Sequence, residues 1–200
     1  MFFLFRFTIA MKTIFLAVFF FAYGASSDVV DKIQKKLHTI HTLKARLVQK
    51  TNGGAPITGG VYIKRPGCLK IVFYPPTAFS LVVNQDTCVY EDALTSRPFH
   101  VPLERLPVRF LLNPQINLRK HFTVQGIYPE IDGTRIDVQT KDGFHKMSLF
   151  FTKTNDLRGW SMTDFEGNKI LVTLEDIQKN IPLTNHTFTC QRRFHQKIKF

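Results

Sequence analysis

From Gly59 to Leu174 the sequence runs in short segments whose apolar residues recur at every second position, each segment closed by a turn signal. A period of two belongs to strands with one buried face, because successive side chains point to opposite sides of a sheet. Val61 and Ile63 share a side. Leu69, Ile71 and Phe73 do likewise after the Pro66-Gly67 turn, and Phe79, Leu81 and Val83 follow the Pro75-Pro76 break. Asn84-Gln85-Asp86 turns the chain into Thr87–Asp92. Further strands are predicted over Phe122–Gln125, Thr134–Gln139, Lys146–Thr152, Gly159–Thr163 and Lys169–Leu174. The turns between them are Asp132-Gly133, Lys141-Asp142-Gly143 and Glu166-Gly167. Sequential strands joined by short turns form an antiparallel meander, which at this length must curl into a barrel, a half-barrel or a sandwich. The class is mainly β, with a minor helical part (α+β).

Helical spacing appears in three places. Asp28 is placed to cap a helix that carries Val30, Ile33, Leu37, Ile40 and Leu43 or Leu47 on one face, with Lys32, Lys35 and Lys36 off it. The chain is then expected to turn extended at about Arg46–Thr51 and to break at Asn52-Gly53-Gly54-Ala55-Pro56. Between the two strand groups, Pro102 to Leu112 is apolar at helical spacing with prolines at its start and middle. Pro107 forbids one long helix, so one or two short ones are expected. Another short helix is predicted near Leu174–Gln178. Short apolar helices against a curled sheet serve either as core cover or as a movable lid.

The N-terminus reads as a secretory signal. Met11-Lys12 precedes the apolar stretch Thr13–Ala22, and the small residues Gly24, Ala25, Ser26 and Ser27 follow. Cleavage is expected between Gly24 and Asp28, and residues 11–27 alone already make a complete signal. Arg6 and Lys12 leave an uncharged run shorter than the ~20 apolar residues a spanning helix needs. No cysteine near the cut could accept lipid. About 173 residues then remain, residues 28–190 as one domain and 191–200 as a basic tail, enough for a substantial core.

The whole chain has a formal charge of +12, and without Arg6 and Lys12 it keeps 25 basic against 15 acidic residues. Such a balance reads first as a solvated surface with a basic tail, and otherwise suits acidic partners or lipid headgroups. The charges are thinly spread, however, and no aromatic-interleaved basic motif suggests nucleic acid. Three cysteines, Cys68, Cys88 and Cys190, are odd in number and match no zinc or redox spacing. Cys68 and Cys88 are expected on strands with another between them, too far apart to bridge. His38 and His41 lack acidic or cysteine neighbours for a metal, and no nucleophile elbow or zinc-protease helix is present. The reading is a binding protein, not an enzyme, with no cofactor and no metal.

The ordered set of short motifs resembles the LolA-type periplasmic outer-membrane lipoprotein carriers. It comprises Leu47-Val48-Gln49-Lys50, Gly60 to Lys64-Arg65-Pro66-Gly67, Tyr74-x-Pro76, Val89-Tyr90, Pro107-x-x-Phe110-Leu111-Leu112, Asp164-x-x-Gly167 and Asn180-Ile181-Pro182 to Phe188. The resemblance covers about residues 28–190. It implies an unclosed antiparallel β-barrel whose apolar concave face is covered by a lid of short helices. It also implies a monomer that takes acylated lipoproteins from an inner-membrane ABC transporter, shields their acyl chains across the periplasm and passes them to an outer-membrane receptor. The family's lid-closing arginine matches Arg65, and its cavity positions on the next strand match Leu69 and Ile71. With the strand pattern, the cavity candidates are Val61, Ile63, Leu69, Ile71, Phe73, Leu81, Val83, Leu106, Phe110 and Leu111. The chain departs from the family in four places. Leu69 and Ile71 stand where bulky aromatics are usual, Asn84-Gln85-Asp86 replaces an Asp-Gly turn, Val89 replaces an aromatic, and the basic tail is atypical. On the same architecture, a sensor of lipids or lipoproteins and a carrier of another lipid are the alternatives.

Overall fold

The computed structural model describes residues 28–92, 98–164 and 166–190. Residues 1–27, expected to be a secretory signal, and the basic stretch 191–200 lie outside them. A helix, α1, covers residues 28–38. Eleven strands follow among the described residues: β1 (Thr42–Thr51), β2 (Ile57–Lys64), β3 (Cys68–Phe73), β4 (Phe79–Asn84), β5 (Thr87–Asp92), β6 (Phe99–His100), β7 (Phe122–Glu130), β8 (Gly133–Thr140), β9 (Lys146–Thr152), β10 (Leu157–Thr163) and β11 (Lys169–Lys179). Between β6 and β7 lie two 3-10 turns, Leu103–Arg105 and Arg109–Leu112, and a four-residue helix α2, Leu118–His121. The broken helices expected over Pro102 to Leu112 are these two turns.

All strands join one antiparallel sheet in the order β6-β5-β4-β3-β2-β1-β11-β10-β9-β8-β7. The two ends of that order, β6 and β7, do not pair, so the sheet curls without closing. Its centre is the seam between the first and last strands, where Leu47 lies opposite Leu174. Glycines stand at matching places on either side of this seam, opposite Phe73 and Thr173. A Cβ on Gly59 of β2 would lie 2.2 Å from the Val72 carbonyl oxygen, and one on Gly159 of β10 would lie 2.1 Å from that of Val172. Only glycine allows strands to approach so closely at a sharp bend.

The inner face of the sheet carries one continuous core. Leu43, Ala45 and Leu47 of β1, Leu69 and Phe73 of β3, and Leu149 and Phe151 of β9 belong to it. Val30, Ile33 and Leu37 of α1 are buried in the same cluster, with Phe110, Leu111, Leu112, Ile116 and Leu118 from the segment between β6 and β7. A helix of this length is marginal alone, so its docking stabilises it, at roughly 2 kcal/mol for each such side chain. Asp28 is itself helical and pairs with Lys32 at 2.6 Å.

Two sequence expectations are corrected. The helix ends at residue 38, and Leu43 and Leu47 lie on β1, which starts at Thr42 and not near Arg46. Leu174–Gln178 is strand, not helix, because β11 runs on to Lys179. Asp176 adopts a left-handed φ of 52° within it. The register there shifts, with Lys44 opposite Gln178 and Arg46 opposite Glu175, so one strand holds an extra residue. This bulge puts Leu174 and Ile177 three apart and imitates a helix.

After β11 the chain crosses the outer face. Thr42 Oγ donates to the Ile181 carbonyl at 2.6 Å, and Lys64 Nζ reaches the Leu183 carbonyl and Asn185 Oδ1. A 3-10 turn, Asn185–Phe188, then packs on β3 and β4 and buries Phe188. Cys68 and Cys88 are separated by β4, and all three cysteines are free thiols. Among the described residues no helix is long and apolar enough to cross a membrane.

Candidate lipid-binding site

A cavity lies where α1 and the Arg109–Leu112 turn cover the inner face of the sheet. Leu37 and Ile40 line it from the α1 side, and Val108 and Leu111 from the turn. Leu43, Val61, Ile63, Leu69 and Ile71 line one flank, and Leu157, Trp160, Leu174 and Ile177 the other. The charged lining residues are Arg65, Asp156 and Lys179. Only about 20 Å³ is left for a water-sized sphere, close to the room one water needs. At that size the cavity does not admit an acyl chain.

The segment Lys64-Arg65-Pro66-Gly67 joins sheet to cover. Arg65 Nε donates to the Leu111 carbonyl at 2.8 Å and Nη1 to the Leu37 carbonyl at 2.6 Å. Leu37 lies in the last turn of α1, whose carbonyls have no partner within the helix and stand at the negative end of its dipole. One guanidinium thus satisfies the helix end and the neighbouring turn together. Burial pushes the Arg65 pKa down to about 10, which leaves it charged at neutral pH. The backbone N–H of Gly67 adds a third bond, to the Leu112 carbonyl at 2.9 Å. Gly67 has a φ of 76°, a conformation that favours glycine, and its carbonyl accepts from Gln85 N–H at 2.8 Å.

The cover is also tied within itself. The His38 ring nitrogen Nε2 bonds the Ile116 carbonyl, and Gln34 Oε1 accepts from the Leu118 N–H at 2.9 Å. Asn113 Nδ2 and His121 Nε2 are 2.8 Å apart. Burial and the nearby charges of Arg109 and Lys120 hold the His121 pKa below its ordinary value, so the ring accepts this bond as a neutral imidazole. At the β6 edge four rings form a ladder, Phe73, Phe79, Tyr90 and Phe99, with centroids 4.4, 5.2 and 4.6 Å apart. Phe99, at its outer end, is exposed.

Of the cavity candidates named from sequence, Val61, Ile63, Leu69, Ile71 and Leu111 line the cavity beside Arg65. Phe73, Val83 and Phe110 are buried in the surrounding core, and Leu81 and Leu106 are half-buried against it. Sequence reasoning missed Trp160, although the Gly159–Thr163 alternation could have placed it inward. It also missed Ile177, read as helical, Leu174, read as the junction of a strand and a helix, and the charged pair Asp156 and Lys179, which carries no local motif.

Residues 38–191 match the family described as outer membrane lipoprotein carrier protein LolA. The chain belongs to the LolA family. No curated protein sequence matches the chain. Among solved structures, a DUF1329 family protein from Desulfovibrio piger superposes with a TM-score of 0.51 at 12% identity, over 83% of this chain and 96% of that one. The LolA superfamily protein NE2245 from Nitrosomonas europaea gives 0.46 at 12% identity, over 80% and 97%. A chain of the Pseudomonas aeruginosa MucA/MucB complex gives 0.47 at 8% identity, over 82% and 61%. At 12% identity the likeness to the Desulfovibrio piger protein is one of fold alone. The resemblance read from the ordered motifs is the family found, and the open sheet under short helical pieces is the architecture it implied.

Proposed function

We propose that this LolA-family protein is a soluble periplasmic carrier of acylated lipoproteins. It accepts them as an inner-membrane ABC transporter releases them, shelters their acyl chains and delivers them to an outer-membrane receptor. It works by binding and release, with no chemical step. The observation that carries this reading is the apolar cavity shut by Arg65 through bonds to carbonyls on two separate cover elements.

Burying one methylene is worth about 0.8 kcal/mol, so a lipoprotein with several acyl chains does not cross water bare. A carrier must bind that surface and still let it go. A cover that closes on its own apolar lining meets both demands. Empty, the protein hides its lining, and on delivery the Arg65 bonds reform and favour expulsion.

The test is a native mass spectrum of the protein purified without detergent from a Gram-negative periplasm, followed by incubation of empty protein with spheroplasts. A bound triacylated lipoprotein, or one captured from the spheroplasts, is expected. Protein that stays empty and releases nothing would sink the carrier reading in favour of a sensor. Phospholipid or glycolipid alone would change the cargo.

A further inference from the structure

We propose that Asp156 is a second, electrostatic clasp of the cover, acting on α1 through Lys36 and positioned by Lys179. This inference rests on the carrier reading, in which α1 must lift for lipid to enter. Asp156 ends the turn between β9 and β10 and lines the cavity. Its Oδ1 lies 2.8 Å from Lys179 Nζ on β11 and 3.8 Å from Lys36 Nζ on α1. The Asp156 side chain is only 18% exposed, against 39% for Lys36.

The carboxylate is held in place before it meets Lys36. The Asp156 N–H donates to Thr152 Oγ1 at 3.1 Å, and its carbonyl accepts from the Thr152 N–H at 2.9 Å. Asn155, just before it, turns the chain with a left-handed φ of 63°. Thr154 Oγ1 donates to the second carboxylate oxygen at 3.2 Å. Lys179 and these bonds belong to the sheet and survive opening. The longer contact to Lys36 is the one that a lifting helix breaks.

Lys36 and Leu37 are neighbours in the last turn of α1. Arg65, at the end of β2, takes Leu37 from one side of the β1–β11 seam, and Asp156, at the start of β10, takes Lys36 from the other. The end of the helix is thus pinned across the seam. The two clasps differ in kind. Arg65 makes directional bonds to backbone, which salt weakens little, whereas Asp156 makes a partly exposed ion pair that salt screens.

The experiment measures binding of Nile red, a neutral apolar dye chosen so that removing a charge does not itself change its attraction. Lys36→Gln, a change at a half-exposed helix position, should raise dye affinity about two- to fivefold at low salt, the range of such ion pairs. Asp156→Asn should do the same, and the double variant no more than either alone. Raising salt from about 0.1 M to about 1 M cuts the screening length from about 10 Å to about 3 Å. That change should raise dye binding in the native protein more than in Lys36→Gln. Unchanged affinity and salt response in Lys36→Gln overturn the clasp. If Arg65→Leu still raises dye binding in that case, the moving cover stands without Asp156. If Arg65→Leu also has no effect, and spheroplast lipoproteins are not captured, the carrier reading fails with it.

Discussion

Asn180 and His41, 139 residues apart in sequence, meet where α1 hands over to β1, with the His41 N–H donating to Asn180 Oδ1 at 2.8 Å. The same side chain donates from Nδ2 to the Thr39 carbonyl at 2.8 Å, and the Asn180 N–H donates to the Thr42 carbonyl. One residue after β11 therefore fixes the link from which the cover helix would swing.

Asn180 sits at a φ of 56°, which only glycine and asparagine adopt readily. Asn180→Ala should destabilise the protein by about 2 kcal/mol, from two lost hydrogen bonds and the backbone penalty. Asn180→Gly should lose about 1 kcal/mol less, because it keeps the backbone free. Urea denaturation of the two variants separates these contributions, and equal midpoints would show that the left-handed turn costs nothing.

Arg65→Leu strips both charge-assisted bonds, each worth about 1.5–3 kcal/mol, and leaves the Leu37 carbonyl only the 3.2 Å bond from the Ile40 N–H. Amide hydrogen exchange around Leu37 and Leu111 should quicken by more than tenfold while the β1–β11 seam stays protected. The variant should load lipid more readily and hand it over poorly. Transfer at the native rate would mean that Arg65 only braces the strand end.

His121 links cover stability to pH. Its pKa in the folded protein lies below that of an exposed histidine, so the unfolded chain binds the proton more tightly. The stabilisation is present above about pH 6.5, the unfolded value, and is lost as pH falls through the lower folded value. Acidification should therefore lower the denaturation midpoint more in the native protein than in His121→Gln, whose amide oxygen can still accept from Asn113. Parallel pH profiles would remove His121 from the account.

The glycines beside the seam should be irreplaceable for a backbone reason. Gly59→Ala and Gly159→Ala drive a methyl into carbonyl oxygens that belong to the sheet itself. Each should cost about 2–3 kcal/mol or prevent folding. Gly167→Ala, with nothing within 4 Å of the added carbon, should cost only the ~1 kcal/mol of its left-handed φ. Thermal midpoints of the three variants order them directly.

Strand alternation made most of the sheet legible, because Val61, Ile63, Leu69 and Ile71 face inward on unbroken period-two runs. It failed where geometry broke the period. The bulge at Asp176 disguised the end of β11, and Ile40, Leu43 and Leu47 continued a helical spacing past the helix that ends at residue 38. In β1 the alternation was present as Leu43, Ala45 and Leu47, but alanine is a weak apolar marker. Arg65 came from the family resemblance, since no local pattern reveals that a side chain will meet two distant carbonyls. Asp156 was out of reach for the same reason, its partners being 120 residues upstream and 23 downstream in the chain.

The seam has a consequence for how the molecule is made. Arg46 and Glu175, paired across it at 2.7 Å, are 129 residues apart in sequence. Pairings this distant form slowly, since much chain must be ordered before they contribute. The central strand β1 can pair early with β2, but its other edge must wait for β11, the last strand of the sheet. Until then the two halves are open half-sheets, each with a bare edge where the other belongs. The hollow is thus a product of completion, and a chain still being synthesised has no closed cavity to offer.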